Sequence, residues 1–364
     1  MEKKHVVIAM SGGVDSSVAA AMLVEEGYQV TGMMLKLWSA DCTTSENACC
    51  TPESVEQARQ VAGMIGIPFY VIDAKNTFKE IVVDNFVINS FSGLTPNPCY
   101  LCNQKIRWSY LLEKVNSFGA QFLATGHYAI IKKGNDLIYR LYKGVDEKKD
   151  QSYILSGLNQ EQLRQTILPL GKYTKEQVRE KALKLGLPVA SKHDSQDLCF
   201  IGNENYRNFL ITYTGQEIRP GNIVNKNGEK VGVHNGLQDY TIGQRKGLGA
   251  GYQEPIYVIA KNLLTNEIVV GSKRDLEFNR IITKSINWIS GCIPQLPLSV
   301  GVKIRYKASI QPCKIDEYEQ GFQLIKLKEP VRDATPGQIA VFYFENEVIG
   351  SAEITSAWVE ETLS

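Results

Sequence analysis

Apolar residues in the first part of the chain arrive in short runs that alternate with stretches of helical spacing. His5-Val6-Val7-Ile8-Ala9-Met10 is a compact run leading into Gly12-Gly13, and Ser16 to Glu26 then carries Val18, Ala19, Met22 and Leu23 at helical period until Gly27 stops it. The reading is strand, loop, helix. Val30 to Leu35 predicts a second strand, Pro52 to Ile65 a helix closed by Gly66, Phe69 to Asp73 a third strand, and Phe78 to Ile88 another helix. A helical stretch over Ile106 to Val115 precedes the run Phe122-Leu123-Ala124, which ends at Thr125-Gly126-His127. Such alternation predicts an α/β fold: a doubly wound parallel sheet, helices on both faces, ligands at the strand ends.

Beyond about residue 203 the pattern changes to short β-rich runs punctuated by Gly, Asn and Pro, as in Gly221 to Asn225 and Asn262 to Glu267. From Arg280 onward the runs Val302 to Tyr306, Phe322 to Ile325 and Ile339 to Tyr343 predict a small antiparallel β-barrel. The expected organisation is therefore three domains: 1–203 α/β, 204–280 small and β-rich, 281–364 a β-barrel.

Composition narrows the class. At 364 residues with 43% hydrophobic and 22% charged residues the chain is ordinary multidomain globular protein, and no apolar run approaches membrane-spanning length. The start, MEKKHVVIAM, passes directly into the first strand without the long apolar core of a secretory signal, so a cytoplasmic protein with no membrane contact is expected. Net charge is only +1, but residues 101–200 hold 16 Lys and Arg against 10 Asp and Glu. A solvated lysine-rich helix face, Lys172 to Lys184, explains about half of that excess; the remainder suits phosphates.

Ser11-Gly12-Gly13-Val14-Asp15-Ser16, set between strand and helix, is built to meet phosphate: glycines admit backbone N–H groups and the helix start adds partial positive charge. No Walker A string is present, so γ-phosphate transfer by that machinery is disfavoured. Asp15 is a candidate to orient Mg2+ on the phosphates. This string is the signature of the PP-loop ATP pyrophosphatases, which the chain resembles here; they split ATP between its α and β phosphates and transfer AMP to an oxygen.

Eight cysteines are too few for a disulfide scaffold in so long a chain. Thr95-Pro96-Asn97-Pro98-Cys99-Tyr100-Leu101-Cys102-Asn103 places two thiols at a Pro-rich turn just before a helix, whose start favours thiolate and makes Cys102 a candidate nucleophile. Asp194 to Gly202 presents Cys199 in an irregular segment able to fold over the first site. Cys42, Cys49 and Cys50 read as loop thiols without an essential role, and Cys292 and Cys313 as packing residues.

Together with Thr125-Gly126-His127-Tyr128, Lys149-Asp150-Gln151-Ser152-Tyr153 and Gly243-Gln244-Arg245-Lys246-Gly247-Leu248-Gly249, these strings resemble the tRNA-specific 2-thiouridylase family over nearly the whole chain. The resemblance implies ATP-dependent adenylylation of the wobble uridine of tRNA at its C2 oxygen, then replacement of AMP by sulfur from a cysteine persulfide. It makes Cys199 the persulfide carrier and Cys102 the nucleophile, with a Cys102–Cys199 disulfide as product of turnover. It assigns ATP, with Mg2+, to Ala9, Met10, Ser11, Gly12, Gly13, Val14, Asp15, Ser16, Leu35 and Gly126. Contacts to tRNA fall on Asn97, Pro98, Cys99, Lys149, Asp150, Gln151, Arg305 and Tyr306, and a protein sulfur donor is implied as a second partner.

One departure leaves a second chemistry open. Position 99 is often aspartate in this family, and here Cys99, Cys102 and Cys199 offer three ligands for a [4Fe-4S] cluster with one open iron, in which case Cys102 and Cys199 are ligands and not relay groups. Two rival functions stand beside the thiolase: a PP-loop ligase acting on a small metabolite, which leaves the cysteines and basic middle unexplained, and a non-catalytic RNA-binding protein whose loop senses nucleotide. His127 reads equally as a phosphate or base contact and as a hydrogen-bonded strand-end histidine.

Overall fold

The computed structural model describes residues 3–37, 51–192, 198–201, 206–215, 218–248 and 254–360. Cys42, Cys49, Cys50, Asp194 to Asp197, Gly202 and Gly249 lie outside them.

The first apolar runs form a parallel sheet whose centre is buried on both faces: Val6, Val7 and Ile8 in β1 (His5–Ala9) are fully enclosed. β2 (Gln29–Lys36) and β3 (Phe69–Asp73) extend the sheet on one side of β1. On the other side lies β4 (Phe122–Ala124). The next two strands, β5 (Ala129–Lys133) and β6 (Tyr139–Lys143), leave this sheet, and β7 (Thr166–Ile167) returns to close it. The order β3-β2-β1-β4-β7 puts the winding reversal between β1 and β4, the crevice where doubly wound sheets bind ligands. Helix α1 (Val14–Glu25) leaves β1 almost wholly buried, and α2 (Pro52–Ile65) starts on the Thr51 side chain, which accepts from the Ser54 N–H at 3.1 Å, and ends on Gly66 in the left-handed region.

Two helices are longer than their periodicity predicts. The one foreseen over Phe78 to Ile88 spans 75–91, and the one foreseen from Ile106 begins at Pro98 and runs through 117. Each contains a π-helical stretch, Lys79–Val83 and Cys102–Leu111. An inserted π register breaks the 3.6-residue repeat, so an α-helical template recovers only part of each helix.

The β-rich expectation after residue 203 meets a helix first, Tyr206–Thr214. Its Phe209 and Leu210 are buried and, with Tyr206 and Tyr213, pack on the Phe78 and Phe86 side of the 75–91 helix. A four-stranded sheet follows, from β8 (Gly221–Val224), β9 (Lys230–His234), β10 (Tyr257–Asn262) and β11 (Glu267–Gly271), in the order β10-β11-β8-β9. The Asn262 to Glu267 run is the turn joining β10 to β11.

The last region is a closed barrel. β12 (Glu277–Lys284), β14 (Leu298–Lys303), β15 (Gln311–Glu317), β16 (Phe322–Arg332), β17 (Ile339–Phe344) and β18 (Glu347–Trp358) pair antiparallel in the order β12-β16-β15-β14-β17-β18, and β18 pairs back to β12. The two-residue β13 (Asn287–Trp288) adds to β18. Sequence order and sheet membership part company at one place: β6 pairs with β18, so the β5–β6 hairpin belongs to the barrel's sheet although it lies among the first 203 residues. Among the described residues no helix is long and apolar enough to cross a membrane.

Candidate functional site

The loop after β1 is held from three directions. Gly12 has φ +70, and a Cβ there would lie 2.3 Å from the Ser54 carbonyl oxygen, so both conformation and space demand glycine. The Ser11 N–H donates to the Ser16 hydroxyl at 3.2 Å, while Ser16 and Ser17 each donate back to the Gly13 carbonyl. Gly126, at the end of β4, sits where a Cβ would be 2.8 Å from the Asp15 carbonyl carbon and the Ser16 nitrogen. Its need for glycine is thus the close approach of the β4 end to the first turn of α1.

Asp15 accepts from Lys175 at 2.8 Å on both oxygens, and the Tyr128 hydroxyl donates to Oδ1 at 2.7 Å. That arrangement changes its expected role, because the carboxylate read as a Mg2+ orienter already has its charge balanced by an ammonium. Lys192 donates to the Gly12 carbonyl at 3.1 Å and to Gln57 at 2.6 Å, with its ammonium destabilised by burial. Neither lysine was visible in the sequence. Lys175 belongs to the Lys172 to Lys184 face read there as largely solvated, yet it is 8% exposed, and no local pattern distinguishes it from its neighbours.

A cleft joins this loop to the first cysteine: Ala9, Met10 and Ser11 line one side, Met33 to Leu35 and Leu37 another, and Cys102, Ile106, Arg107 and Leu111 a third. Of the ATP residues expected from sequence, Ala9, Met10, Ser11 and Leu35 face the cleft, Gly12 to Ser16 form the adjoining turn and helix start, and Gly126 backs them.

Cys102 is buried and Cys199 half-buried, and both belong to one apolar cluster with Phe78, Phe86, Ile106 and Phe209. Phe200 anchors the second cysteine there, with ring centroids 5.1 Å from Phe86, 5.4 Å from Phe209 and 6.0 Å from Phe78. Two cysteines far apart in sequence are thereby brought against one helix. The expected thiolate-favouring helix start needs correction. Asn97 caps that helix by accepting from the Tyr100 N–H at 3.1 Å, and Pro98 is its first residue, so Cys99 occupies the first turn and Cys102 lies beyond it. The end effect of a helix fades within its first turn.

Cys99 is exposed, and the Tyr306 phenol holds its proton more tightly because of burial first, then Asp150 and Cys99. Among the described residues, which include Cys99, Cys102 and Cys199, no three His, Cys, Asp or Glu side chains are grouped to hold a metal ion.

The expected tRNA residues divide by what they touch. Asp150 is turned inward, its carboxylate accepting from the Gly144 and Ser152 N–H groups and the Ser152 hydroxyl, while its carbonyl accepts from Tyr306 at 3.0 Å. Gln151 exchanges hydrogen bonds with the Tyr128 backbone. Arg305 donates to the Ile242 carbonyl and the Thr335 hydroxyl, tying the barrel to the middle sheet. Lys149, Cys99 and Tyr306 remain at the surface or partly so. The barrel also grips the cysteine segment: the Thr95 N–H donates to Pro336, Gln338 donates to the Thr95 carbonyl at 2.8 Å, and Tyr100 meets Ser351 at 3.0 Å. His127 takes the strand-end reading: buried, Nδ1 2.7 Å from the Thr125 hydroxyl, and held neutral by burial and by Arg107, its pKa lowered to about 3.

Comparison with known proteins agrees along the entire chain. Family models described as a tRNA methyl transferase HUP domain, a tRNA methyl transferase PRC-barrel domain and an aminomethyltransferase beta-barrel domain match residues 4–203, 207–272 and 278–354. A tRNA-specific 2-thiouridylase MnmA from Geotalea uraniireducens is 42% identical, covering 100% of this chain and 96% of that protein. The protein of the same name from Heliobacterium modesticaldum is 44% identical over 97% of this chain and 92% of its own length. The U34-tRNA thiolase NcsA from Methanococcus maripaludis with its [4Fe-4S] cluster overlaps at TM-score 0.33 and 18% identity, over 59% of this chain and 66% of that one, too loosely to carry its cluster across. With full-length identity above 40% to proteins of one name, and a loop and Cys102 meeting at one cleft with Cys199 in the adjoining cluster, the chain belongs to the tRNA-specific 2-thiouridylase family.

Proposed function

We propose that this protein is a cytoplasmic tRNA-uridine 2-sulfurtransferase working by adenylylation and persulfide relay. The observation that carries the reading is the single cleft bounded by Ala9, Ser11 and Leu35 on one side and Cys102 on another, with Cys199 in the cluster behind it. ATP enters with Mg2+ on its phosphates. The uridine C2 oxygen attacks the α-phosphorus, and pyrophosphate leaves. The terminal sulfur of a Cys199 persulfide then attacks C2, and AMP departs with the original oxygen. Cys102 attacks Sγ of Cys199, the sulfur–sulfur bond breaks toward the base, and a Cys102–Cys199 disulfide remains. A protein sulfur donor and a thiol reductant restore Cys199 for the next cycle. Adenylylation is needed because oxygen leaves a carbonyl carbon poorly until phosphate carries its charge.

Residues 1–203 hold the nucleotide and sulfur chemistry in this reading, 204–280 and the 281–364 barrel complete the tRNA surface, and Asn97, Pro98, Cys99, Lys149 and Tyr306 flank the entering base. The inward residues Asp150, Gln151 and Arg305 act by holding that surface in shape.

The test follows α-labelled ATP and thiouridine together. Cys199→Ser is expected to release pyrophosphate and leave labelled AMP on tRNA while forming no 2-thiouridine; intact thiouridine formation in that variant overturns the relay. AMP transfer to a small metabolite without tRNA would favour the ligase. The cluster is tested by iron assay and visible absorption on protein purified without oxygen: iron-free, colourless, active protein is expected, and absorbance lost in Cys99→Ala would replace the relay with a cluster.

A further inference from the structure

The π-helical stretch Cys102–Leu111 decides which side chains reach the cleft. Cys102, Ile106, Arg107 and Leu111 all line it. In an α-helix of 3.6 residues per turn, a residue five positions after Cys102 lies about 140° around the axis and one nine positions after it about 180°, on the far side. Hydrogen bonding from i to i+5 brings residues five apart into line. The Ser109 hydroxyl follows the same spacing, donating at 2.9 Å to the carbonyl of Gln104, five positions back. The wide register is what lets Arg107 share a face with Cys102.

Arg107 is the one cationic side chain among the residues lining the cleft. Across the cleft stand Ser11 and the loop that receives phosphate. Its charge is also felt behind the cleft, where it helps keep His127 unprotonated. Because Cys102 lies past the first turn of its helix, the helix start supplies little positive charge at the point where sulfur and phosphate meet. Half-buried and one π turn from the sulfur, a guanidinium supplies it there, with the planar donor fork that suits phosphate oxygens.

We propose that Arg107 is a catalytic residue of the adenylylation step, binding the α-phosphate of ATP and then the AMP carried on the base, with the π register of residues 102–111 serving to aim it. It touches the group on which charge builds as pyrophosphate leaves, and the same contact holds AMP as a leaving group when sulfur arrives.

This rests on the thiolase reading, and the experiment separates the two. Single-turnover release of AMP from α-labelled ATP, counted both on tRNA and in solution, is followed with tRNA for wild type, Arg107→Ala, Arg107→Gln and Arg107→Lys. Removing a preorganised charge-stabilising group costs about 10²–10³ in rate, so Ala and Gln are expected to fall by that factor while Lys recovers at least about tenfold of it. Filter binding of tRNA and the thermal midpoint are expected to match wild type. Wild-type protein with no tRNA-dependent AMP release would sink the functional reading. Wild type active and Arg107→Gln within about twofold of it would sink the role of Arg107 alone. A drop that Lys does not relieve, accompanied by lost tRNA binding or a lowered midpoint, would assign Arg107 to structure and overturn the proposal.

Discussion

Lys175 holds Asp15 by both carboxylate oxygens at 2.8 Å, across 160 positions of sequence, with the lysine side chain 10% exposed and the aspartate 32%. The pair fixes the start of α1 against the helix Lys175–Lys184, so the phosphate loop is positioned by an element that follows it by most of the domain. Lys175→Ala leaves Asp15 with only the Tyr128 hydroxyl. Breaking a fully buried pair costs several kcal/mol, but water reaching Asp15 screens the loss, and about 1–2 kcal/mol is expected. Urea unfolding of wild type, Lys175→Ala, Asp15→Asn and the double variant measures it; a coupling near zero would show that the pair does not act as a unit.

Gly126→Ala places a methyl group 2.8 Å from the Asp15 carbonyl carbon and the Ser16 nitrogen. Both are backbone atoms, so relief requires the loop or the β4 end to move. ATP affinity is expected to fall by more than about tenfold, since a displacement near 1 Å is enough to spoil aligned phosphate contacts, while far-UV circular dichroism stays unchanged. Unaltered nucleotide binding would mean the loop yields without consequence.

Phe200 is 3% exposed and wedged among three aromatic rings. Truncating a buried Phe costs about 3–5 kcal/mol where the structure stays in place, and Phe200 is the neighbour that holds Cys199 to the cluster, so Phe200→Ala is expected to release Cys199 from it. Thiouridine formation should drop by about tenfold or more while pyrophosphate release in a single turnover stays within about twofold. Equal losses in both steps would show that Phe200 supports the whole site.

His127 gives the fold a defined acid sensitivity. Its folded pKa of about 3 lies below the unfolded value of about 6.5, so the unfolded chain binds a proton that the folded chain refuses. This contribution to stability is fully present above about pH 6.5 and is lost as pH falls toward 3, by about 1.4 kcal/mol per pH unit. His127→Gln is expected to flatten the fall in urea midpoint between pH 7 and pH 5, and an unchanged slope would place the sensitivity elsewhere.

Thiol accessibility separates the cysteines. Burial pushes the Cys313 thiol up to about 12, and Cys292 is exposed. Iodoacetamide at pH 8 is expected to label Cys292 in native protein and Cys313 only after unfolding; native labelling of Cys313 would mean that β15 opens readily.

Local sequence carried the parts whose causes are local. The alternation of buried runs and helical repeats through Ile65 and Asp73 specified the parallel sheet, because a strand enclosed on both faces must be apolar throughout. Gly12 and Gly13 between strand and helix announced the phosphate loop for the same kind of reason: backbone approaching an anion tolerates no side chain. The cysteine segments were legible by their strings, and the late β texture announced a barrel.

What sequence did not decide was everything set by partners distant in the chain. Lys175 and Lys192 resemble any surface lysines until folding carries them to Asp15 and Gly12. The β5–β6 hairpin reads as part of the first region, yet β18 offers the edge it needs. The π register at Cys102–Leu111 leaves no mark in the residues that an α-helical template can find, and only packing against the 75–91 helix and the sheet selects it. Sequence named the sulfur and the loop; the fold decided that Arg107 lines the cleft they share, because the direction of a side chain depends on helical register and register is settled by tertiary contacts.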